Sequence, residues 1–151
     1  MYTIAVIGYG GMGGWHTRQL LSLPEEFRLA GIYDINPERI DAAERDGIRG
    51  YRSLDALLAD PEIRTVILAV PNNFHKPLSI EAMRAGKNVI CEKPVMLNAQ
   101  ELEEVLAVAK ETGRQFSVHQ NRRWDKDFLM VKKMLEDGTI GKPFYIESRV
   151  Q

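Results

Sequence analysis

The chain has 151 residues, of which 44% are hydrophobic and 27% charged, a composition typical of one globular domain rather than of a disordered chain. Its 20 basic and 21 acidic side chains leave a net charge of −1, which gives no electrostatic reason to expect nucleic acid or an anionic membrane as a partner. Cys91 is the only cysteine, so no internal disulfide can form and a reducing compartment is expected. The start of the chain lacks signal-peptide features and no apolar run approaches about 18 residues, so we expect a cytoplasmic protein that does not contact membranes.

Short β-branched runs alternate with helical patterns along most of the chain. The predicted strands are Thr3–Ile7, Arg28–Tyr33, Thr65–Val70, Asn88–Cys91 and Gln115–Val118. One helix is expected through Trp15 to Leu21, and others begin after the capping residues Asn36, Ser53 and Asn98. Strands that alternate with helices indicate the α/β class, with a doubly wound parallel sheet covered on both faces.

The alternation changes after Val118. A helix is predicted from Lys126 to Glu136, with Asp125 as its cap, and a strand-like segment follows from Phe144 to Val150. We therefore divide the chain into a first domain, residues 1–120, and a different segment, residues 121–151.

A glycine-rich loop joins the first strand to the first helix. Gly8, Gly10 and Gly13 spell G-x-G-x-x-G, in which the glycines permit a tight turn, close approach of a pyrophosphate, and close packing of helix on strand. Gly11 leaves further room, and the N–H groups of the helix's first turn, near Met12, face the phosphate charge. The loop predicts a dinucleotide site. A methyltransferase also has such a loop, although with looser glycine spacing, and a P-loop is excluded because no Gly-Lys-Ser/Thr follows.

An acidic residue is expected about 20 positions after the loop, at the end of the second strand. Asp34 lies there. Its carboxylate can accept hydrogen bonds from the ribose hydroxyls of an adenosine half and would repel a 2′-phosphate, and no arginine follows immediately. Asp34 therefore predicts NAD rather than NADP as the cofactor.

The carboxyl ends of the later strands carry the other candidate residues, because ligands of doubly wound sheets collect at that edge. Glu92 and Lys93 end the fourth strand directly before Pro94. Neighbouring strand residues point to opposite faces, so these two charges are not simply each other's ion pair. A cis Lys93–Pro94 bond would aim the lysine sharply.

Together these motifs resemble the Gfo/Idh/MocA family of nicotinamide-dependent sugar oxidoreductases. The matching stretches are "GYGGMGGWH", Asp34, "AVPNNFH", "CEKPVMLN" and "NRRWD", and the resemblance covers essentially the whole chain. It implies that Lys93 is catalytic, beside the substrate hydroxyl and the nicotinamide. The predicted cofactor-binding residues are Gly8, Gly10, Gly11, Met12, Gly13, Asp34, Val70, Pro71, Asn72, His75, Glu92, Lys93, Pro94, Asn121 and Arg122.

The resemblance also implies a function and a larger protein. A positive nicotinamide favours the neutral form of a nearby amine, which can then accept the proton of a sugar or cyclitol hydroxyl. Family members carry a second α/β domain that forms the substrate pocket and the homo-oligomer interface, so we expect residues 121–151 to be its connecting helix and first strand, and the fragment alone to be inactive. A non-catalytic NAD-binding module that senses redox state or binds a partner is the alternative. His16 is expected to pack or cap, and no metal site is expected.

Overall fold

The computed structural model describes residues 1–147 and 149. It divides the chain into two compact units, Met1–His119 and a second unit that begins at Gln120.

The first unit is built on a parallel sheet of five strands. The strands are β1 (Tyr2–Ile7), β2 (Phe27–Tyr33), β3 (Thr65–Leu68), β4 (Asn88–Cys91) and β5 (Phe116–Val118), in the order β2-β1-β3-β4-β5. The helices are α1 (Gly11–Leu21), α2 (Pro37–Arg45), α3 (Leu54–Ala59), α4 (His75–Arg84) and α5 (Ala99–Thr112). This is the predicted doubly wound α/β fold. The strand order reverses between β1 and β3, which is the switch point where such sheets bind ligands.

The core has two layers because side chains alternate across each strand. Ala5 and Ile7 of β1 belong to a cluster that contains Met83 of α4 and Val105 of α5, whereas Ile4 and Val6 face a cluster with Leu20 of α1 and Ile40 of α2. Both faces of the central strands are therefore buried, as expected when helices cover a parallel sheet on both sides.

The predicted helix ends are confirmed by local hydrogen bonds. The side chains of Asn36, Ser53 and Asn98 accept from the backbone N–H groups of Glu38 (2.9 Å), Ala56 (3.1 Å) and Glu101 (2.9 Å). Gly113 ends α5 in the left-handed conformation, with φ of 65°.

Helix α4 was missing from the predicted elements. Pro77 interrupts its apolar pattern, yet it lies in the first turn, where a residue needs no backbone N–H for the helix. The helix packs Ala82 and Met83 fully into the core, so tertiary burial decides an element whose local pattern is weak.

The second unit contains a 3₁₀ turn, Asn121–Trp124, and helix α6, Lys126–Glu136, with the predicted bounds. Asp125 precedes the helix as expected, but its side chain makes no capping hydrogen bond. Phe144 and the described residues up to 147 form no strand, while Val150 lies outside the described residues. A strand is defined by its paired neighbour, and this segment has none within the described chain. None of the described helices is both long enough and apolar enough to cross a bilayer.

Candidate active site

The glycine loop contains two kinds of glycine. Some are required because a Cβ would collide with the backbone, and others leave open space beside them. A Cβ at Gly13 would lie 1.8 Å from the Gly8 carbonyl oxygen, and one at Gly8, where φ is +93°, would lie 2.4 Å from the Ala69 carbonyl oxygen. In contrast, a Cβ at Gly11 would meet nothing within 4 Å. The first pair is fixed by packing of the loop on α1 and β3, whereas the space beside Gly11 is available to a ligand at the N-terminus of α1.

A cavity of about 360 Å³ adjoins this loop at the switch point. Its walls are mainly apolar, with Asp34 and Arg39 as the charged groups, and its other lining residues include Gly8, Gly10, Leu54, Val70, Pro71, Phe74 and Leu78. The volume falls in the usual range for small-molecule and cofactor sites, and an apolar wall with few polar groups is typical of them. The cavity, together with the loop, fits the adenosine half of a dinucleotide.

Asp34 is held in place by three protein donors. It is 4% exposed and accepts hydrogen bonds from the backbone N–H groups of Tyr9 (2.7 Å) and Asn36 (2.9 Å) and from Arg39 Nη1 (3.2 Å). A carboxylate has about four acceptor positions, so one remains for a ribose hydroxyl. The carboxylate therefore orders the glycine loop as well as facing the cavity.

Arg39 is a residue of this pocket that the sequence prediction missed. No arginine directly follows Asp34, but the first turn of α2 places Arg39, five positions later, against the carboxylate. Its guanidinium also lies 3.6 Å from the position of a Cβ on Gly10. The sequence does show an arginine in the first turn of the helix that follows the second strand. Only the structure shows that this arginine reaches the pocket.

The loop after β3 carries an unsatisfied acceptor. Asn72 Oδ1 is buried and has no hydrogen-bond partner within the described part of the chain. Leaving such an atom unpaired costs about 1–3 kcal/mol, so a position of this kind calls for an external donor. Asn72 directly follows Val70 and Pro71, which line the cavity, and the hydroxyl and amide groups of a dinucleotide are suitable donors.

His75 has a different environment from the one expected for a cofactor contact. Its ring is 1% exposed, with Nδ1 3.0 Å from the Pro94 carbonyl oxygen and Nε2 3.0 Å from the Val70 carbonyl oxygen. A neutral ring donates to one of these at a time. His75 thus connects the loop after β3 to the loop after β4, and the structure supports an indirect role in holding them.

The turn after β4 separates its two charges as predicted. Lys93 is exposed, whereas Glu92 is 5% exposed and faces the protein interior. One oxygen of Glu92 accepts from His16 Nε2 and from His119 Nδ1, both at 2.8 Å, and the other accepts from the Lys93 backbone N–H at 3.2 Å. The Lys93–Pro94 peptide bond is cis.

The hydrogen bonds of Glu92 determine its charge. Burial by itself raises the pKa of this carboxyl, but the bonds from His16 and His119 outweigh burial, and the pKa of Glu92 is lowered. Burial lowers the pKa of His16 in spite of its bond to Glu92. An ionised carboxylate and a neutral imidazole therefore meet behind the turn Glu92–Pro94, where His16 is buried. Direct cofactor contact by Glu92 remains a prediction, since all its recorded partners are protein groups.

The remaining candidates lie at the two ends of the predicted set. Met12 is 41% exposed in the first turn of α1. Asn121 and Arg122 belong to the second unit, where both are exposed in the 3₁₀ turn. Contacts of these three residues with a cofactor stay predictions.

Comparison with known proteins identifies the family. Residues 2–120 match the family model GFO_IDH_MocA, described as an oxidoreductase family with an NAD-binding Rossmann fold. Because the match covers most of the chain, the chain belongs to this family and contains its NAD-binding domain.

Individual relatives agree with the family. A crystal structure of an NAD-binding protein from Listeria innocua is 44% identical with a TM-score of 0.89, over 93% of this chain and 42% of that one. The WlbA dehydrogenase of Bordetella pertussis, in complex with NADH and UDP-GlcNAcA, is 28% identical with a TM-score of 0.85, over 93% and 42%. The scyllo-inositol 2-dehydrogenase (NADP(+)) of Bacillus subtilis is 32% identical over 91% of this chain and 38% of the relative. The chain thus spans less than half the length of these relatives.

Proposed function

We propose that this chain is the cofactor domain of a longer NAD-dependent dehydrogenase that acts on a sugar or cyclitol hydroxyl. The observation that carries the proposal is the placement of Lys93. It is exposed at the carboxyl edge of the sheet, where the glycine loop and the cavity also lie, and its backbone is tied to the buried Glu92. Because the glycine loop and the cavity lie at the same edge, the exposed amine of Lys93 is available to a ligand bound there.

Different residues are proposed to bind different parts of the cofactor. The open N-terminus of α1, at Gly10 and Gly11, receives the pyrophosphate, and Asp34 accepts from the adenosine ribose. Asn72 Oδ1 accepts a hydrogen bond from the nicotinamide half. NAD supplies a hydride acceptor when bound; the other proposed contacts are Gly8, Met12, Gly13, Val70, Pro71, Pro94, Asn121 and Arg122, with His75 and Glu92 acting through the loops that they hold.

Lys93 carries the proton chemistry in this proposal. Its amine takes the proton from the oxygen of the substrate hydroxyl as the hydride leaves the carbon that bears this hydroxyl, and it returns the proton in the reverse direction. Glu92 keeps the turn in place without neutralising the amine, because its carboxylate is directed to two histidines on the opposite side.

The substrate class rests on the relatives and is a proposal for the longer protein. Relatives include a scyllo-inositol dehydrogenase and a dehydrogenase in complex with a sugar nucleotide, so a polyol or sugar is the class to test. The remaining acid–base groups, the substrate pocket and a homo-oligomer interface are assigned to the second domain of that protein. A non-catalytic NAD-binding module is the alternative, and no observed feature favours it.

The test extends the reading frame beyond residue 151 and compares the longer product with this chain. We expect this chain to bind NADH, measured by the change in nicotinamide fluorescence, without reducing NAD⁺. The longer protein is expected to reduce NAD⁺ with at least one member of a panel of inositols and aldoses. NADH binding combined with a stop codon directly after residue 151 would instead support the module, and absence of NADH binding would contradict both.

A further inference from the structure

Two histidines and a glutamate form a cluster behind the catalytic turn. His16 comes from α1, Glu92 from the end of β4, and His119 directly follows β5. Their ligand atoms, His16 Nε2, a Glu92 carboxylate oxygen and His119 Nδ1, all lie within 4.8 Å of one another. The side chains of His16 and Glu92 are each 6% exposed and that of His119 is 21% exposed, so the cluster is buried on one side and reachable from the other.

We propose that this cluster binds one divalent transition-metal ion of the zinc class. Two imidazoles and one carboxylate are a ligand set that suits Zn²⁺ and Co²⁺ and suits Mg²⁺ or Ca²⁺ poorly, because the latter prefer oxygen ligands. Three protein ligands leave a fourth position for water, which would lie toward the more exposed His119. The sequence did not indicate this site, because residues 16, 92 and 119 have no metal-motif spacing.

The hydrogen bonds show what the ion has to replace. Both rings direct a nitrogen at the same Glu92 oxygen, so in the metal-free cluster each ring holds its proton on that side. Metal binding moves the proton to the other ring nitrogen, His16 Nδ1 or His119 Nε2. Within the described part of the chain, neither of these nitrogens has a protein hydrogen-bond partner, so no existing contact opposes the shift.

The geometry requires a small adjustment. Ligand atoms around a tetrahedral zinc ion are roughly 3.3 Å apart, given metal–ligand distances of about 2.0–2.2 Å. The two nitrogen–oxygen distances here are 2.8 Å, so each has to lengthen by roughly half an ångström. Side-chain rotation of the partly exposed His119 can supply much of that movement without displacing the sheet.

The composition of the chain makes the assignment testable. Only three histidines and one cysteine are present. The third histidine, His75, has both nitrogens against backbone carbonyls, and Cys91 is fully buried. Any zinc-class site that uses an imidazole must therefore use His16 or His119.

Trp15 provides a reporter beside the cluster. Its ring centroid lies 5.1 Å from that of His16 and 5.7 Å from that of His119. The chain has one other tryptophan, Trp124, in the second unit, so Trp124→Phe leaves Trp15 as the single fluorophore. The experiment titrates Co²⁺ into this variant without a histidine tag, following visible absorption and Trp15 quenching, and then displaces Co²⁺ with Zn²⁺.

We expect saturation at one equivalent of Co²⁺, visible bands typical of tetrahedral or five-coordinate nitrogen–oxygen ligation, and full displacement by Zn²⁺. Since the three ligands meet only in the folded chain, saturating Zn²⁺ is expected to raise the melting temperature by about 5–10 °C at a hundredfold excess over Kd.

The control variants separate the cluster from adventitious sites. His119→Gln keeps a donor for Glu92 but removes the imidazole, and it is expected to weaken Co²⁺ binding by at least about tenfold. Glu104→Gln removes a carboxylate on α5 that is paired with Lys76 and does not belong to the cluster, and it is expected to leave Co²⁺ binding unchanged. NADH binding and circular dichroism check that each variant is folded. Absence of saturable binding, or binding that His119→Gln retains in full, would overturn the proposal.

Discussion

The two halves of the sheet's carboxyl edge are built in different ways. At the first half, the hydrogen bonds of Asp34 all fall within the stretch from β1 through α1 and β2 to the start of α2: Asp34 accepts from Tyr9, 25 positions earlier, and from Asn36, two positions later. At the second half, Glu92 bonds to His16, 76 positions away, and to His119, 27 positions away. The first half is formed by consecutive elements of the chain, whereas the second requires α1 to meet the ends of β4 and β5, which lie much later in the sequence.

This difference explains which features of the site can be recognised from the sequence. A backbone that must pass within 1.8 Å of where a Cβ would stand admits only glycine, so the loop is visible in any sequence that contains it. A buried carboxylate needs donors, but many side chains in many places can provide them. The donors of Glu92 are therefore identified only after the strand order places α1 and β5 beside β4.

The largest effect is expected at Lys93. In the longer protein that we propose, Lys93→Met is expected to lower turnover by about 10²–10⁴-fold, because general acid–base catalysis typically contributes that much. NADH affinity is expected to change little, since the lysine acts on the substrate proton. Steady-state kinetics and an NADH titration measure the two effects, with Lys110→Met on α5 as a matched control. Turnover equal to that of the control would remove Lys93 from its catalytic role.

A pair of glycine variants tests the first half. Gly13→Ala is expected to destabilise the chain by at least about 3 kcal/mol, because the new Cβ collides with the rigid Gly8 carbonyl. Gly11→Ala is expected to leave the free energy of unfolding almost unchanged, because Gly11 is the first residue of α1 and a Cβ there meets nothing within 4 Å, while NADH binding weakens. Urea denaturation and NADH titration provide the readouts. If Gly11→Ala binds NADH normally, the pyrophosphate does not lie at this glycine.

Cofactor choice tests the Asp34–Arg39 pair. The chain is expected to bind NADH about tenfold to hundredfold more tightly than NADPH, since loss of a charge-assisted hydrogen bond costs about 1.5–3 kcal/mol. Asp34→Ala is expected to remove this preference, because Arg39 then remains as an unpaired cation beside the ribose. Asp34→Ala combined with Arg39→Ala is expected to bind both cofactors weakly. Calorimetric titrations measure the affinities for NADH and NADPH. Equal affinities of the unaltered chain for the two cofactors would contradict the assignment of Asp34 to the adenosine ribose.

The smallest effect is expected at the end of the chain. Phe144, Tyr145 and Ile146 are 103%, 70% and 63% exposed, and backbone N–H and C=O groups that pair with no strand can pair with another chain. We expect two copies to pair through this segment, because each apolar side chain that becomes buried contributes about 1.5–3 kcal/mol. Sedimentation velocity compares the full chain with a version that ends at Gly141 and with Ile146→Ser. Monomeric behaviour of all three would rule out pairing.

Local sequence signals predicted most of the fold. The strands were found to within two residues because parallel strands buried on both faces are continuous apolar runs. Helix starts were found at Asn36, Ser53 and Asn98 because capping is a contact within three residues. Helix α4 was not found, since Pro77 hides its periodicity and the helix is stabilised by packing against α5, β3 and β4.

The sequence by itself determined the family, the glycine loop, Asp34 and the exposed Lys93, because each is imposed by backbone geometry or by a motif of adjacent residues. Only the tertiary structure decided which side chains are hydrogen-bonded to one another. Arg39 donates to Asp34, His75 joins the loops after β3 and β4, and two histidines bond to Glu92. The physical reason is that side-chain contacts depend on how the chain folds back on itself, even over five positions as between Asp34 and Arg39. A hydrogen bond or a metal site depends on which side chains the sheet order brings within about 3–5 Å, and no pattern of neighbouring residues specifies that order.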